Sequence, residues 1–530
     1  MDSEQSALHF ECGPLRRFPP GLSRSLYTSQ RRPWRCHLPF AAKLTKYPRL
    51  PIRQYHGIFE TRFLRGDFGR GPRSWTIELL PGIRCALRRA IRDRAATLAS
   101  IGSLLLGIVC TTAVFSARTP SPPQGWPIRR VESSTPISAL KQRLESGDPR
   151  ALEQFWSDAA RESTPLIEPA SDNSREVIAT FLWRGDAHTR NVALQAPLAK
   201  SPGLSDLPLQ RLLGTDLWYG CWQMRDDLRF TYRFAPNLKP GENQHPLAAL
   251  DPLNPQKMEL PFEGGRIPTQ VFSVAAMPRA PDERWIAKQQ NVSAGEIERL
   301  SFKSAILKNE RNIWVYTPPN YSDRFQGGYA LLVLFDGFSY LNWIPAPAIL
   351  DNLTHDGRIP PMVAVLIDNP LESRKAELAY NPAFADFVTK ELLPWARARW
   401  NVTRDPHETI IGGYSLGGAA AAFVALRHSD LFGNVLSQSG AFQNGSQFLA
   451  WDWLPEEYEA SKKLALRFFL EAGVLEDASK YGPTLLSSNR RLVKILEKKG
   501  YPITYEEVGG THEPVHWRDT MADGLISLTK

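Results

Sequence analysis

From Pro136 the apolar residues Ile137, Leu140, Leu144, Leu152, Phe155 and Trp156 recur at helical spacing, and Gly147-Asp148-Pro149 splits the run. Residues 136–170 are therefore predicted to be a helical segment of two helices. The period then shortens. Val177–Trp183, Leu217–Gly220 and Arg229–Phe234 are rich in β-branched and aromatic residues, and turn residues separate them. This pattern predicts a small β-sandwich domain over 171–280, with Asp251-Pro252-Leu253-Asn254-Pro255 as a rigid loop. Beyond residue 298 the strands change style. After Asn312–Thr317 come Ala330–Phe335, Met362–Ile367, Asn434–Ser437 and Leu466–Leu470, which are nearly continuous apolar runs of the kind buried on both faces of a parallel sheet. Helical stretches at Phe384–Trp400, Gly418–Ser429 and Leu492–Lys499 intervene, so 298–530 is predicted to be a doubly wound α/β domain. No internal repeat is present.

The front of the chain has no such period. Residues 1–94 are Arg- and Pro-rich, which is expected of a disordered leader or of a segment upstream of the true translation start. Arg84, Arg88, Arg89, Arg92 and Arg94 precede an uncharged stretch, Ala95–Ala117, and Pro- and Ser-rich residues follow. A basic flank, an apolar core and small residues before a linker over 118–135 describe an export signal. The stretch is also long enough to span a bilayer, so a retained membrane anchor is the alternative.

Charge follows the same division. The net charge of +9 invites a nucleic-acid reading, but Arg and Lys outnumber Asp and Glu by 19 to 7 within residues 1–94 alone. The other 436 residues carry 45 basic and 48 acidic groups, so polyanion binding is not expected of the folded body. Four of the five cysteines precede residue 111. Cys221 alone lies beyond, as expected of a small buried hydrophobe, and one Cys cannot form an internal disulfide. The placement expected from these features is the periplasm or another exported location.

The chemistry concentrates at Gly413-Tyr414-Ser415-Leu416-Gly417-Gly418. An apolar strand (Thr409-Ile410-Ile411) precedes it and an Ala-rich helix follows, which is the setting in which G-x-S-x-G forms a nucleophile elbow. A serine at such a turn needs a base, a residue to orient the base, and donors for an oxyanion. The strand Ile503–Val508 ends in Gly509-Gly510-Thr511-His512, where His512 can swing toward Ser415; His516 is the rival, expected on the final helix facing substrate or solvent. Leu466–Leu470 leads into Glu476 and Asp477, of which Glu476 is the preferred acid. The Leu416 N–H and, from the Phe335–Tyr340 loop, the Phe338 N–H are the expected oxyanion donors. No metal-ligand spacing, P-loop or dinucleotide fingerprint is present, and neither metal nor cofactor is expected.

In these motifs the chain resembles the enterochelin (ferric enterobactin) esterase family of the α/β-hydrolase superfamily. The resemblance covers about residues 136 to 530. It rests on Phe181-Leu182-Trp183-Arg184-Gly185, Gly214-Thr215-Asp216-Leu217-Trp218, Val315–Pro319, Leu334–Gly337, Arg374–Leu378, Glu391–Trp395, Ile411–Gly418, Val435–Gly440 and the C-terminal Gly-Gly, His and Trp. It implies a sandwich domain, immunoglobulin-like, joined to an α/β-hydrolase domain that cleaves the trilactone of a catecholate siderophore. It places the family's Ser, acid and His on Ser415, Glu476 and His512. Thr511 is an insertion relative to the family pattern. A ferric tris-catecholate is highly anionic, which makes Arg374 and Arg184 candidate contacts, with an Arg374–Glu377 salt bridge as the alternative use; Trp517 is a third candidate. The competing functions are a broad-specificity carboxylesterase and a binding protein with a degenerate hydrolase domain. No oligomeric state follows from the sequence.

The leader generates a prediction. N-terminal sequencing of the mature protein should give a start near residues 114–120 if the signal is cleaved. An intact 95–117 helix in the membrane fraction means tethering. A soluble cytoplasmic protein that keeps residues 1–94 contradicts export altogether.

Overall fold

In the first of two antiparallel sheets the central strands are the two nine-residue ones, Glu176–Arg184 and Leu217–Arg225, both largely buried. The computed structural model describes residues 128–530, apart from 173, 200–204, 239–247, 266, 444–451 and 480–481. The expectations for 1–94 and for the 95–117 anchor lie outside the described residues. The strands are β1 (Ile128–Val131), β2 (Leu166–Pro169), β3 (Glu176–Arg184), β4 (Val192–Ala196), β5 (Ser205–Pro208), β6 (Gln210–Arg211), β7 (Leu217–Arg225), β8 (Arg229–Pro236), β9 (Lys257–Leu260) and β10 (Gln270–Ala276). The first sheet runs β1-β7-β3-β2, with β6 also on β7, and the second runs β5-β4-β8-β10-β9. Their inner faces share one core, in which Phe181 meets Trp222 edge-on at 5.7 Å and Tyr232 at 5.0 Å. Helices α1 (Thr135–Glu145) and α2 (Ala151–Glu162) cover the other face of the first sheet, packing Ile137, Leu140, Phe155 and Trp156 onto Leu182, Tyr219 and the buried Cys221. The expected rigid loop Asp251–Pro255 is tied to its surroundings: Asp251 is buried and accepts from the Thr164 and Tyr232 hydroxyls, both at 2.8 Å.

Two boundaries read from the sequence are corrected. The expected 118–135 linker contains β1, which pairs with β7 from Ile128 to Val131, and the expected helical segment 136–170 ends in β2. Both strands are four residues long, too short to show a period. Their conformation is imposed by the long strands they join. The sandwich thus extends N-terminally beyond residue 171.

The second layer is an eight-stranded sheet ordered β11-β12-β14-β13-β15-β16-β17-β18. Its strands are β11 (Glu296–Ser304), β12 (Asn309–Thr317), β13 (Ala330–Leu334), β14 (Met362–Ile367), β15 (Thr409–Tyr414), β16 (Asn434–Gln438), β17 (Arg467–Gly473) and β18 (Ile503–Val508). From β14 to β18 every pairing is parallel, while β11 and β12 are antiparallel. Alternate residues of β13 enter different cores: Val333 on one face, Leu332 and Leu334 on the other. That is why these runs are apolar throughout. Helices α3 (Gly337–Asn342), α4 (Ala346–His355), α5 (Leu371–Leu378), α6 (Pro382–Asp386), α7 (Leu393–Arg399), α8 (Leu416–Arg427), α9 (Trp453–Ala460), α10 (Leu485–Lys498) and α11 (Pro514–Leu528) flank the sheet. A π-helical turn, Phe387–Leu392, joins α6 to α7. Sandwich and sheet belong to one compact unit.

One buried ion pair ties α5 to the sheet. Arg311 on β12, its side chain fully buried, donates to both Glu377 oxygens at 2.6 and 2.9 Å and to the Asp368 carbonyl at 3.0 Å. Replacing Arg311 with Met should lower the unfolding free energy by about 3–5 kcal/mol, because Glu377 is then buried without its cation. The double change with Glu377→Leu should recover most of the loss. Chemical denaturation of both variants checks this; an unchanged midpoint for Arg311→Met contradicts it.

Candidate active site

The parallel strands all end on the same edge of the sheet, and the loops there carry the reactive groups. β15 runs into α8 through a turn one residue long. Ser415 occupies that turn with φ 56° and ψ −123°, a conformation that costs a non-glycine residue about 1–3 kcal/mol. The surroundings hold it there. Its N–H donates to the Gln438 carbonyl at 2.9 Å, and its carbonyl accepts from the Ala441 N–H at 2.9 Å. The sharpness of the turn brings Gly413 against Gly417. A Cβ on Gly413 would lie 2.6 Å from the Gly417 carbonyl carbon, so no other residue fits.

Ser415 Oγ lies 2.8 Å from His512 Nε2, and His512 Nδ1 lies 2.9 Å from Glu476 Oε1. The other Glu476 oxygen accepts from the Gly473 N–H at 3.1 Å. The three side chains come from the ends of β15, β17 and β18, and form one continuous hydrogen-bonded chain. Glu476 is buried, whereas the His512 side chain is 42% exposed. The acid is therefore shielded and the imidazole is open to a substrate. Asp477 turns away and accepts from the Thr484 hydroxyl at 3.0 Å at the start of α10. Thr511 donates its hydroxyl to Glu513 at 2.7 Å, and the extra residue leaves His512 within reach of Ser415.

Leu416 and Phe338 stand at the first turns of α8 and α3, where N–H groups have no intrahelical partner. Asp336 precedes α3 with φ 56° and is clamped by Arg374, Nε to Oδ1 at 2.6 Å and Nη2 to Oδ2 at 2.7 Å. Burial raises the Asp336 carboxyl, and the Arg374 charge opposes that rise. A Cβ on Gly417 would lie 3.1 Å from Asp336 Oδ2, so the Asp336 loop and the Ser415 turn are in contact.

The remaining candidates are placed differently from expectation. Arg374 is committed to Asp336, and its expected alternative partner Glu377 is taken by Arg311. Arg184 pairs with Asp216 at 2.8 Å and Glu153 at 3.0 Å, beside Trp156 in the sandwich domain. Trp517 is only 3% exposed: it stacks on Tyr414 at 4.4 Å, meets His512 edge-on at 5.1 Å and donates to Ser439 Oγ at 2.8 Å. It supports the imidazole from behind and presents no face to a substrate. His516 is on the final helix, but it points inward, 2% exposed, with Nε2 3.5 Å from the buried Glu471. Burial alone would lower its affinity for a proton, yet the carboxylates of Glu471, Glu476 and Glu513 outweigh burial and raise it.

Several residues of this support were not singled out from the sequence. Gln438 donates to the Trp517 carbonyl at 2.5 Å and to Thr520 at 2.7 Å, and accepts from the Tyr340 hydroxyl at 2.8 Å. Glu471 lies at the end of β17, its carboxyl raised by burial and restrained by His516. The available signal was polarity: Gln438 and Glu471 are polar residues ending apolar strands. Among the described residues no His, Cys, Asp and Glu cluster suits a metal ion.

The Esterase family model matches residues 304–528, and the model for the N-terminal part of enterochelin esterases matches residues 178–286. The iron(III) enterobactin esterase of Dickeya dadantii is 30% identical over 439 residues, spanning 73% of this chain and 94% of that protein. The iron(III) enterobactin esterase of Escherichia coli O6:H1 is 32% identical over 344 residues, spanning 60% of this chain and 81% of its own. The enterobactin esterase from Shigella flexneri, solved in the presence of enterobactin, superposes with a TM-score of 0.57 at 27% identity, covering 71% of this chain and 97% of that one. With a relative 30% identical over 94% of its length and the fold of a solved enterobactin esterase in common, this chain belongs to the enterochelin (enterobactin) esterase family.

Proposed function

We propose that the protein hydrolyses the ester bonds of a catecholate siderophore lactone such as ferric enterobactin, with Ser415 as nucleophile, His512 as base and Glu476 as the orienting acid. The chain is a carboxylic ester hydrolase by family. The observation that carries the assignment of roles is the chain of contacts from Ser415 through His512 to Glu476, at 2.8 and 2.9 Å. The siderophore as substrate rests on relatives whose names and structures concern enterobactin.

The geometry supports the following course. His512 Nε2 takes the Oγ proton as Ser415 attacks the lactone carbonyl carbon. Glu476 holds Nδ1–H and stabilises the imidazolium. The Leu416 and Phe338 N–H groups receive the oxyanion. The C–O ester bond then breaks, and His512 Nε2 returns its proton to the leaving alkoxide. Water, deprotonated by His512, attacks the acyl carbon; the acyl C–Oγ bond then breaks, the carboxylic acid is freed, and His512 Nε2 returns its proton to Ser415 Oγ. The iron travels with the substrate.

A broad-specificity carboxylesterase is the second reading, favoured by one observation. The two guanidiniums expected to meet an anionic siderophore, Arg374 and Arg184, are both held by carboxylates. For location, we propose the periplasm, supported by the basic residues before Ala95–Ala117 and by a body with a single Cys.

Ser415→Ala should lower turnover by about a million-fold with the fold intact, and His512→Ala should match it. Glu476→Gln should cost less, on the order of ten thousand-fold. Rates on a cyclic tri-catecholate lactone and on simple aryl esters, measured with circular dichroism on each variant, check both claims. Residual activity near the parent level in Ser415→Ala contradicts the assignment, and equal kcat/KM on aryl esters and lactone favours the second reading.

A further inference from the structure

Both loops that carry the proposed base and acid rest on the sandwich domain. Val474 and Leu475, the residues before Glu476, are buried in the sandwich core beside Leu228 and Phe230. The Leu475 N–H donates to the Gly510 carbonyl at 3.1 Å, which links the acid loop to the His512 loop. On the near side of His512, the Arg229 N–H donates to the Gly509 carbonyl at 2.8 Å. A Cβ on Gly509 would lie 2.2 Å from the Asp227 carbonyl oxygen, so this loop is pressed against the sandwich. On the far side, the Glu513 carboxylate accepts from the Thr231 N–H at 3.1 Å, from the Thr231 hydroxyl, and from the Thr511 hydroxyl at 2.7 Å. Thr231 lies in β8 and is buried.

We propose that β8 of the sandwich positions the base: Thr231, acting through the Glu513 carboxylate, fixes the loop on which His512 sits. This rests on the assignment of His512 as base. The physical need is clear. The imidazole is exposed, and Gly509 and Gly510 precede it, the residues with the most backbone freedom to lose. A nucleophile–base contact works only when held within a few tenths of an ångström. The carboxylate next to His512 receives side-chain and backbone donors from Thr231 and a hydroxyl from Thr511, so removing the Thr231 hydroxyl leaves a buried oxygen short of a donor and frees the loop to shift. Thr231 touches neither Ser415 nor His512 and is a positioning residue.

The test uses the full chain and an aryl ester such as p-nitrophenyl butyrate. Thr231→Val keeps the shape and the backbone N–H but removes the hydroxyl; Thr231→Ser keeps the hydroxyl. Thr231→Val is expected to lower kcat about tenfold with KM within about twofold, as the loss of one hydrogen bond to a charged group allows, and Thr231→Ser to restore kcat to within about twofold of the parent. A melting temperature that falls in Thr231→Val while kcat stays at the parent value means a structural role only and overturns the proposal, as does a Thr231→Ser variant as slow as Thr231→Val. If Thr231→Val does not fold, Glu513→Gln carries the comparison: a tenfold loss in kcat at unchanged KM supports the proposal, and a parental kcat overturns it. Activity surviving in Ser415→Ala would remove the underlying assignment. A dead Ser415→Ala beside a fully active Thr231→Val removes this inference alone.

Discussion

The site depends on one strained residue. Ser415 holds φ 56° because β15 must reverse into α8 within a single residue, and the backbone bonds to Gln438 and Ala441 prevent relaxation. That strain lifts the hydroxyl above the edge of the sheet and leaves the Leu416 N–H pointing outward at the start of a helix. It also forces the glycine at 413, whose Cβ would run into the Gly417 backbone, while a Cβ on Gly417 would press on Asp336 Oδ2. The apolar sheet beneath supplies the rigidity. Strands β13 to β17 are buried on both faces, and loops anchored on such strands keep their geometry.

Around this turn the charged side chains serve mainly as support. Arg374 fixes Asp336, Arg311 fixes Glu377, and His516 shares a buried site with Glu471. Each of these buried charges has an opposite partner, as desolvation requires. Arg229 does the same between the sandwich and the catalytic part, pairing with Asp519 on α11. The open imidazole of His512 is the exception in its surroundings, and it is the group that has to meet a substrate. Trp517 packs against its edge and holds it from within the protein.

What the sequence disclosed follows from how local each feature is. The serine turn is legible because its whole cause lies within six residues: a strand, glycines where backbone must touch backbone, and a helix. Long runs such as Met362–Ile367 are legible because both faces of the strand are buried. β1 and β2 were hidden because four residues carry no period, and the short helices α4 and α9 because neither extends beyond three turns. The partners of Arg374 and Arg184 were not legible either. Asp336 is 38 residues from Arg374, and only the pairing of β13 with β14 brings them together. The inward turn of His516 and Trp517 has the same origin, since which side of the last helix faces the core is decided by the strands it packs on.

The central claim is that the strained hydroxyl is the nucleophile, and a fluorophosphonate probe tests it most directly. Mass spectrometry of the labelled, proteolysed protein should place a single phosphonyl adduct on Ser415, and labelling should vanish in the His512→Ala variant because the hydroxyl then has no base. An adduct on another serine, or an unlabelled Ser415 in a folded and active protein, would contradict the account.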